Sequence, residues 1–243
     1  MNSSVDAVYE GKVILRQPMH SYRAGLDAAF LGASVHANPH ERILDVGCGV
    51  GTALLCALYH QPHARGCGIE GTEIFATLAK ENADTNNRIC VIHHADIFTK
   101  PSVLGDQTFD HVITNPPYHS HEGCTPSPHA LKAVAAGEPQ NGLVPWLNYC
   151  IRRLKPRGHL TMVHRTDRLD EILAHLYGRM GEITLVPLFT QPTHAKRILI
   201  RARKNVCGGL TLCPGIHIHT KDGSYTPIAR GILSGETKID LFS

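Results

Sequence analysis

"RILDVGCGVG", residues 42–51, decides the fold. Ile43, Leu44 and Val46 make a short apolar run, and Gly47, Gly49 and Gly51 follow at alternate positions. An apolar run that stops in glycines reads as a buried strand entering a tight turn. "TALLCALYH", residues 52–60, has helical character, so the two stretches make a strand, a turn and a helix. Glycines there remove the Cβ atoms that would keep a ligand off the backbone. A dinucleotide fingerprint would place Gly or Ala at position 52, where this chain has Thr52, so a nucleotide-like ligand is implied but NAD is poorly supported.

The same unit repeats outward. "ARGCGIEG" reads as a strand, "TEIFATLAKENADTN" as a helix, and "RICVIHHADIF" and "FDHVITNPPY" as two further strands. Upstream, "KVILRQP" reads as a short extended start and "YRAGLDAAFLGASV" as an amphipathic helix. Downstream, "LVPWLNYCIRRL" predicts a helix, Lys155-Pro156-Arg157-Gly158 a turn, and "GHLTMVHR" a fifth strand. "RLDEILAHLYGRM" predicts another helix, and "EITLVPLF" and "KRILIRARK" two strands with no helix between them. Strands separated by helices imply a parallel sheet, and the last pair an antiparallel hairpin. "HSHEGCTPSPH", residues 119–129, reads as a mobile loop.

Composition agrees with a soluble α/β chain. Of 243 residues, 42% are apolar and 19% charged, and no apolar run approaches the roughly 20 residues of a spanning helix. "MNSSVDAVYEGK" lacks the basic start and apolar run of a signal peptide, so a cytoplasmic location is expected. The eight cysteines form no CxxC pair and read as reduced thiols. His93-His94 and His119-Ser120-His121 lack the spacing and partners of a common zinc site, so no metal is expected. The net charge of +3 is uneven: residues 1–122 hold 8 Lys/Arg against 13 Asp/Glu, and residues 123–243 hold 16 against 8. The cationic half carries clusters at Arg152, Arg153, Lys155 and Arg157 and at Lys196, Arg197, Arg201, Arg203 and Lys204, a candidate surface for a polyanion.

Three further positions complete a candidate site. Glu70 ends the second strand, 25 positions after Asp45, where a carboxylate can accept from both hydroxyls of a ribose. Asp96 ends the third strand, within reach of the base of the same ligand. In "NPPY", residues 115–118, the two prolines fix φ and supply no N–H donors. The Asn115 side-chain oxygen and the Pro116 carbonyl then make a rigid acceptor pair for an exocyclic NH2 group, and the Tyr118 ring offers a face on which a planar base stacks. Accepting both hydrogens of an aromatic amine frees its lone pair for attack.

These residues resemble a class I S-adenosylmethionine (SAM)-dependent methyltransferase of the amino-methylating group, in its SAM loop "DVGCGVG" and its tetrapeptide "NPPY". "QPMHSYRAGLDAAFLGASV", "LKPRGHLTMVHR", "AKRILIRARK" and "DGSYTPIARGIL" extend the resemblance over most of the chain, to the family of tRNA1(Val) adenine-37 N6-methyltransferases. The resemblance implies a Rossmann-like core with a seven-stranded, mostly parallel sheet and an antiparallel C-terminal hairpin. One domain spans 1–243, with an N-terminal extension and helix at 1–41, the core at 42–204 and a C-terminal extension at 205–243.

It further implies that Asp45, Gly47, Cys48, Gly49 and Gly51 line the methionine end of SAM, bordered by Arg23 and Asp27. Glu70 and Gly71 would meet the ribose, and Asp96 and Ile97 the adenine. Asn115, Pro116, Pro117 and Tyr118 would hold the target amine, with tRNA as partner. His119 departs from the usual "NPPYF". Alternative readings are methylation of a protein glutamine amide, of an amino group in rRNA or DNA, or a non-catalytic SAM- or RNA-binding module.

Overall fold

The structure is a computed structural model and describes residues 3–19, 25–99, 102–117 and 142–240. Its elements are β1 (Ser3–Val8), β2 (Val13–Pro18), α1 (Leu26–Ala33), β3 (Arg42–Val46), α2 (Thr52–His60), β4 (Arg65–Glu70), α3 (Glu73–Thr85), β5 (Cys90–His94) and β6 (Phe109–Thr114). There follow α4 (Leu143–Arg152), β7 (Leu154–Arg165), α5 (Leu169–Leu176), β8 (Met180–Phe189), β9 (Arg197–Lys204), β10 (Leu210–Leu212), β11 (Ile216–His217) and α6 (Pro227–Leu233).

Among the described residues the main sheet runs β10-β8-β9-β7-β6-β3-β4-β5, with β11 also on β8. All its pairings are parallel except those of β9, which lies antiparallel between β7 and β8. The seven core strands and the closing antiparallel pair thus match the sequence reading, and β10 and β11 widen the sheet beyond it.

Alternation along each strand sends successive side chains to opposite faces. Ile43, Ile113, Val163, Val186 and Leu199 join α1, α2, α3 and α6 in one apolar cluster. Leu44, Val46, Val112, Met162 and Ile200 join α4 and α5 in the other. β3, β6, β7, β8 and β9 are therefore apolar on both faces, as a sheet sandwiched between helices requires, while the edge strand β5 leaves Val91 exposed.

The predicted turn at 155–158 is instead part of β7. Arg157 takes a positive φ of 65°, and the β6–β7 register slips between Phe109 and His111. Pro156 and Gly158 mark a bulge: a Cβ on Gly158 would stand 3.0–3.1 Å from the Asp110 and Phe109 carbonyl oxygens.

The N-terminal stretch, read as one extended segment, is a β1–β2 hairpin. Asn82 of α3 and Asn86 just beyond its end accept from the Arg16 and Ile14 N–H groups at 2.7 and 2.9 Å, an anchor that replaces sheet pairing. The hairpin turn buries Tyr9, whose hydroxyl donates to the Ala29 carbonyl at 2.8 Å.

His111 and His159 stack at 5.3 Å between centroids near the amino edge of the sheet, and His111 Nε2 lies 2.9 Å from Glu41. Burial and the neighbouring Arg201 guanidinium push the His159 pKa down to about 3, and burial takes His60 and His164 down to about 4. Unfolded histidines take up protons near pH 6.5, so acid favours the unfolded chain. Stability is expected to fall as pH drops from about 6.5 towards 4. The His159→Gln variant should show a shallower loss of melting temperature across that window in calorimetric scans.

Candidate active site

Strand register assembles the site. Val46 on β3 lies opposite Ile69 on β4 and Thr114 on β6, and Ile69 lies opposite His93 on β5. Gly47, Glu70 and Asn115 follow these positions directly and Asp96 comes three residues after His93, so all four emerge at the carboxyl edge of four adjacent strands, where open α/β sheets bind ligands.

Gly47, Gly49 and Gly51 take φ values of 72°, 57° and 89°, in the left-handed region that a side chain disfavours. The turn is pinned by the Gly47 and Cys48 N–H groups, which donate to the Ile69 carbonyl at 2.9 and 3.0 Å. A Cβ on Gly47 would strike the Trp146 ring at 2.7 Å, whereas one on Gly49 would meet nothing within 4 Å. Gly47 is thus needed for packing below the turn, and Gly49 presents open backbone above it.

Asp45 is 2% exposed, and its Oδ2 has no hydrogen-bond partner among the described residues. Burial, then the Glu70 carboxylate, push its pKa up to about 8, opposed by the Leu54 N–H at the start of α2. A buried, unsatisfied acceptor beside open glycine backbone fits a ligand that brings a positive charge or donor groups.

Glu70 accepts from the Gly49 N–H at 2.8 Å through one oxygen and from the Thr72 N–H at 2.9 Å through the other. Each oxygen keeps a second lone pair, so the carboxylate is oriented without being saturated. Burial raises its pKa, and those two N–H groups act the other way. Gly71 sits against Asp96, since a Cβ placed on it would be 3.9 Å from the Asp96 Cα. Asp96 is exposed and accepts from the Phe98 N–H at 2.8 Å, while Ile97 is buried.

Asn115, Pro116 and Pro117 continue beyond β6, with Pro116 buried. Tyr118, Arg23 and the loop at 119–129 lie outside the described residues. Asp27, expected beside the methionine group, accepts from Arg197 Nε at 3.0 Å and so ties α1 to β9.

Two residues that sequence reasoning missed hold the two halves of the site together. The Thr114 hydroxyl donates to the Val46 carbonyl at 2.8 Å and accepts from Trp146 Nε1 at 2.9 Å. The Trp146 ring lies under Gly47 and 6.2 Å from the Phe98 ring. Trp146 is the single tryptophan of the chain, its one available signal.

The basic clusters are not brought to this edge as a set. Lys155 and Arg157 open β7 at the amino edge, beside Arg152 and Arg153, and Arg203 and Lys204 end β9 there. Lys155 bonds Asp110 at 2.7 Å, Arg203 bonds Glu182 at 2.8 Å, and Lys204 bonds the Leu154 carbonyl at 2.7 Å. Arg153 lies 5.1 Å from the Tyr149 ring centre, and Arg201 is 6% exposed, so it is an interior residue and not the surface contact expected. Of the expected cations only Lys196 and Arg197 stand at the carboxyl edge.

The sheet order is that of a class I SAM-dependent methyltransferase. A predicted O-methyltransferase from Agrobacterium tumefaciens shares the fold with a TM-score of 0.71 at 23% identity, over 88% of this chain and 98% of its own. The family model "Methyltransferase small domain" matches residues 19–137. A tRNA1(Val) (adenine(37)-N6)-methyltransferase from Porphyromonas gingivalis is 30% identical over 220 residues, 84% of each chain. The chain belongs to that family of methyltransferases. A release factor glutamine methyltransferase from Caulobacter vibrioides is 42% identical, but over 79 residues, 31% of this chain and 26% of its own.

Asp45→Asn removes a buried charge while keeping shape. The raised carboxyl pKa means that the ligand-free protein loses stability as pH climbs from about 4 to 8. The variant should therefore melt at a higher temperature at pH 8 than the parent while binding SAM at least tenfold more weakly by calorimetry. Trp146→Phe removes the bond to Thr114, and is expected to cost about 1 kcal/mol in denaturant titrations and to lower kcat more than SAM affinity.

Proposed function

We propose that this protein transfers a methyl group from SAM to N6 of an adenine in tRNA, at position 37 of tRNA1(Val), the reaction named for its relatives. The observation that supports the reading is the Val46–Thr114 pairing, after which Asn115 leaves β6 next to where Gly47 leaves β3.

SAM supplies an electrophilic methyl on a sulfonium centre. Asp45 with Gly47, Cys48, Gly49 and Gly51 would hold its methionine end, Glu70 with Gly71 its ribose, and Asp96 with Ile97 its adenine. Asn115 Oδ1 and the Pro116 carbonyl would accept the two hydrogens of the target amine, with Pro117 keeping the segment stiff and Tyr118 stacking on the base. The base must leave its stack to reach this edge, as for other enzymes that modify bases. Rate then comes mainly from alignment of amine and methyl group, with no strong base required. Residues 1–243 would act as one domain, in the cytoplasm, where tRNA is found.

A glutamine amide presents the same planar NH2 group, and the short match to a glutamine methyltransferase is confined to about a third of the chain. Coverage of most of the chain by the tRNA methyltransferase relatives favours the nucleic-acid substrate.

Transfer of labelled methyl from SAM to total tRNA, followed by nucleoside digestion, tests the proposal. Label is expected in N6-methyladenosine. Asn115→Ala should lower kcat roughly 100-fold or more, with SAM affinity within about twofold of the parent. Label in a protein extract and none in RNA would overturn it.

A further inference from the structure

Three rings of the C-terminal segment, His217, His219 and Tyr225, together with Phe189 at the end of β8, are not used by the methyl-transfer site. β11 extends β8 at the carboxyl edge, where His217 is in register with Phe189. Their rings stack at 4.6 Å between centroids and 17° between planes. Two residues later His219 bridges to Tyr225, and this pair stacks at 5.1 Å and 25°. Alternation along the extended chain puts His217 and His219 on one face, and their partners with them. None of the four belongs to an apolar core cluster, and Tyr225 is 40% exposed.

The hairpin that bears His219 and Tyr225 is braced from within. The Thr220 N–H donates to the Ser224 carbonyl at 2.8 Å, and Asp222 Oδ1 accepts from the Ser224 N–H at 3.2 Å and its hydroxyl at 2.9 Å. The Thr226 hydroxyl donates to the His217 carbonyl at 2.6 Å and accepts from the Ala229 N–H at 3.2 Å, which caps α6. The rings are therefore set before any ligand arrives.

Charge on this edge is selective. Arg165, Arg168 and Arg197 each pair with a carboxylate. Lys196, beside the start of β9, and Lys221, at the hairpin tip, are exposed and form no ion pair among the described residues.

We propose that Phe189, His217, His219 and Tyr225, with Lys196 and Lys221, form a stacking platform for unpaired nucleotides of the RNA that flank the methylated base. The inference rests on the reading of RNA as substrate. Prearranged rings, with His217 and Tyr225 exposed and Phe189 and His219 half-buried, and exposed lysines on the same segments suit single-stranded nucleic acid, because every base has a π-face and every link a phosphate. β8 and β11 stand three and four strands from β6 in the sheet, about 14 to 19 Å at ordinary strand spacing, a distance that a few unstacked nucleotides cover.

The test uses the whole protein and a short fluorescent RNA hairpin with an unpaired, adenine-containing loop, against a blunt duplex of the same stem. Tyr225→Ala and His217→Ala should each weaken hairpin binding about tenfold and raise the KM for RNA, while SAM affinity and kcat at saturating RNA hold. Tyr225→Phe should retain parental affinity, which separates stacking from loss of the hydroxyl or of folding. Lys196→Gln and Lys221→Gln should each reduce the slope of log affinity against log salt by roughly 0.7. If the parent methylates RNA and both alanine variants bind and turn over like it, the platform falls and the RNA reading stands. If the variants lose hairpin and duplex equally, the contact is not base stacking and the platform also falls. If the parent methylates only protein, both inferences fall.

Discussion

The Thr114 hydroxyl is the joint on which the site depends. By donating to the Val46 carbonyl and accepting from the Trp146 indole, it ties the end of β6 to the end of β3 and to α4 on the far face of the sheet. The parallel register already places the two strand ends side by side, but register alone leaves the segments beyond them free to splay. The hydroxyl closes that freedom at the residue before Asn115. The same indole underlies Gly47, so one side chain braces both the turn that would cradle the cofactor and the strand that would present the amine. A buried, fully used hydrogen-bond chain of this kind rigidifies more than its modest net energy suggests.

Electrostatics at the edge follow from the same placement. Burial and the Glu70 carboxylate raise the cost of ionising Asp45, and burial raises that of Glu70, with Glu70 steadied by two backbone N–H groups and Asp45 left with an unmatched oxygen. Such an arrangement destabilises the empty protein and favours a cationic or donor-rich ligand. Stability forgone at the site is recovered in the two apolar clusters, which pack both faces of the sheet.

The segments outside the core act as clasps. Tyr9 seats the N-terminal hairpin on α1, Lys12 reaches the Ser234 carbonyl at 2.8 Å, and the Ile239 N–H donates to the Ala33 carbonyl at 2.9 Å. The two ends of the chain thus meet around α1, whose Asp27 pairs with Arg197. A cation that looked like part of a nucleic-acid footprint in one dimension is, in three, a strut between a helix and the sheet.

The sequence by itself determined the core strands, the glycine turn and the carboxyl-edge residues, because continuous apolar runs, alternating glycines and a double proline each restrict the backbone locally. β1, β10 and β11 were not legible: they are short or exposed and carry no apolar period, and they form only because a neighbouring element offers backbone partners. The Pro156–Gly158 bulge looked like a turn because both impose the same local chemistry, and only pairing with β6 decides between them. Tertiary structure alone decided which cations face the site, since β9 runs antiparallel and carries Lys196 and Lys204 to opposite edges, and it alone revealed Trp146. Residues that act through contacts between distant elements leave no spacing to read; those that act through their own backbone do.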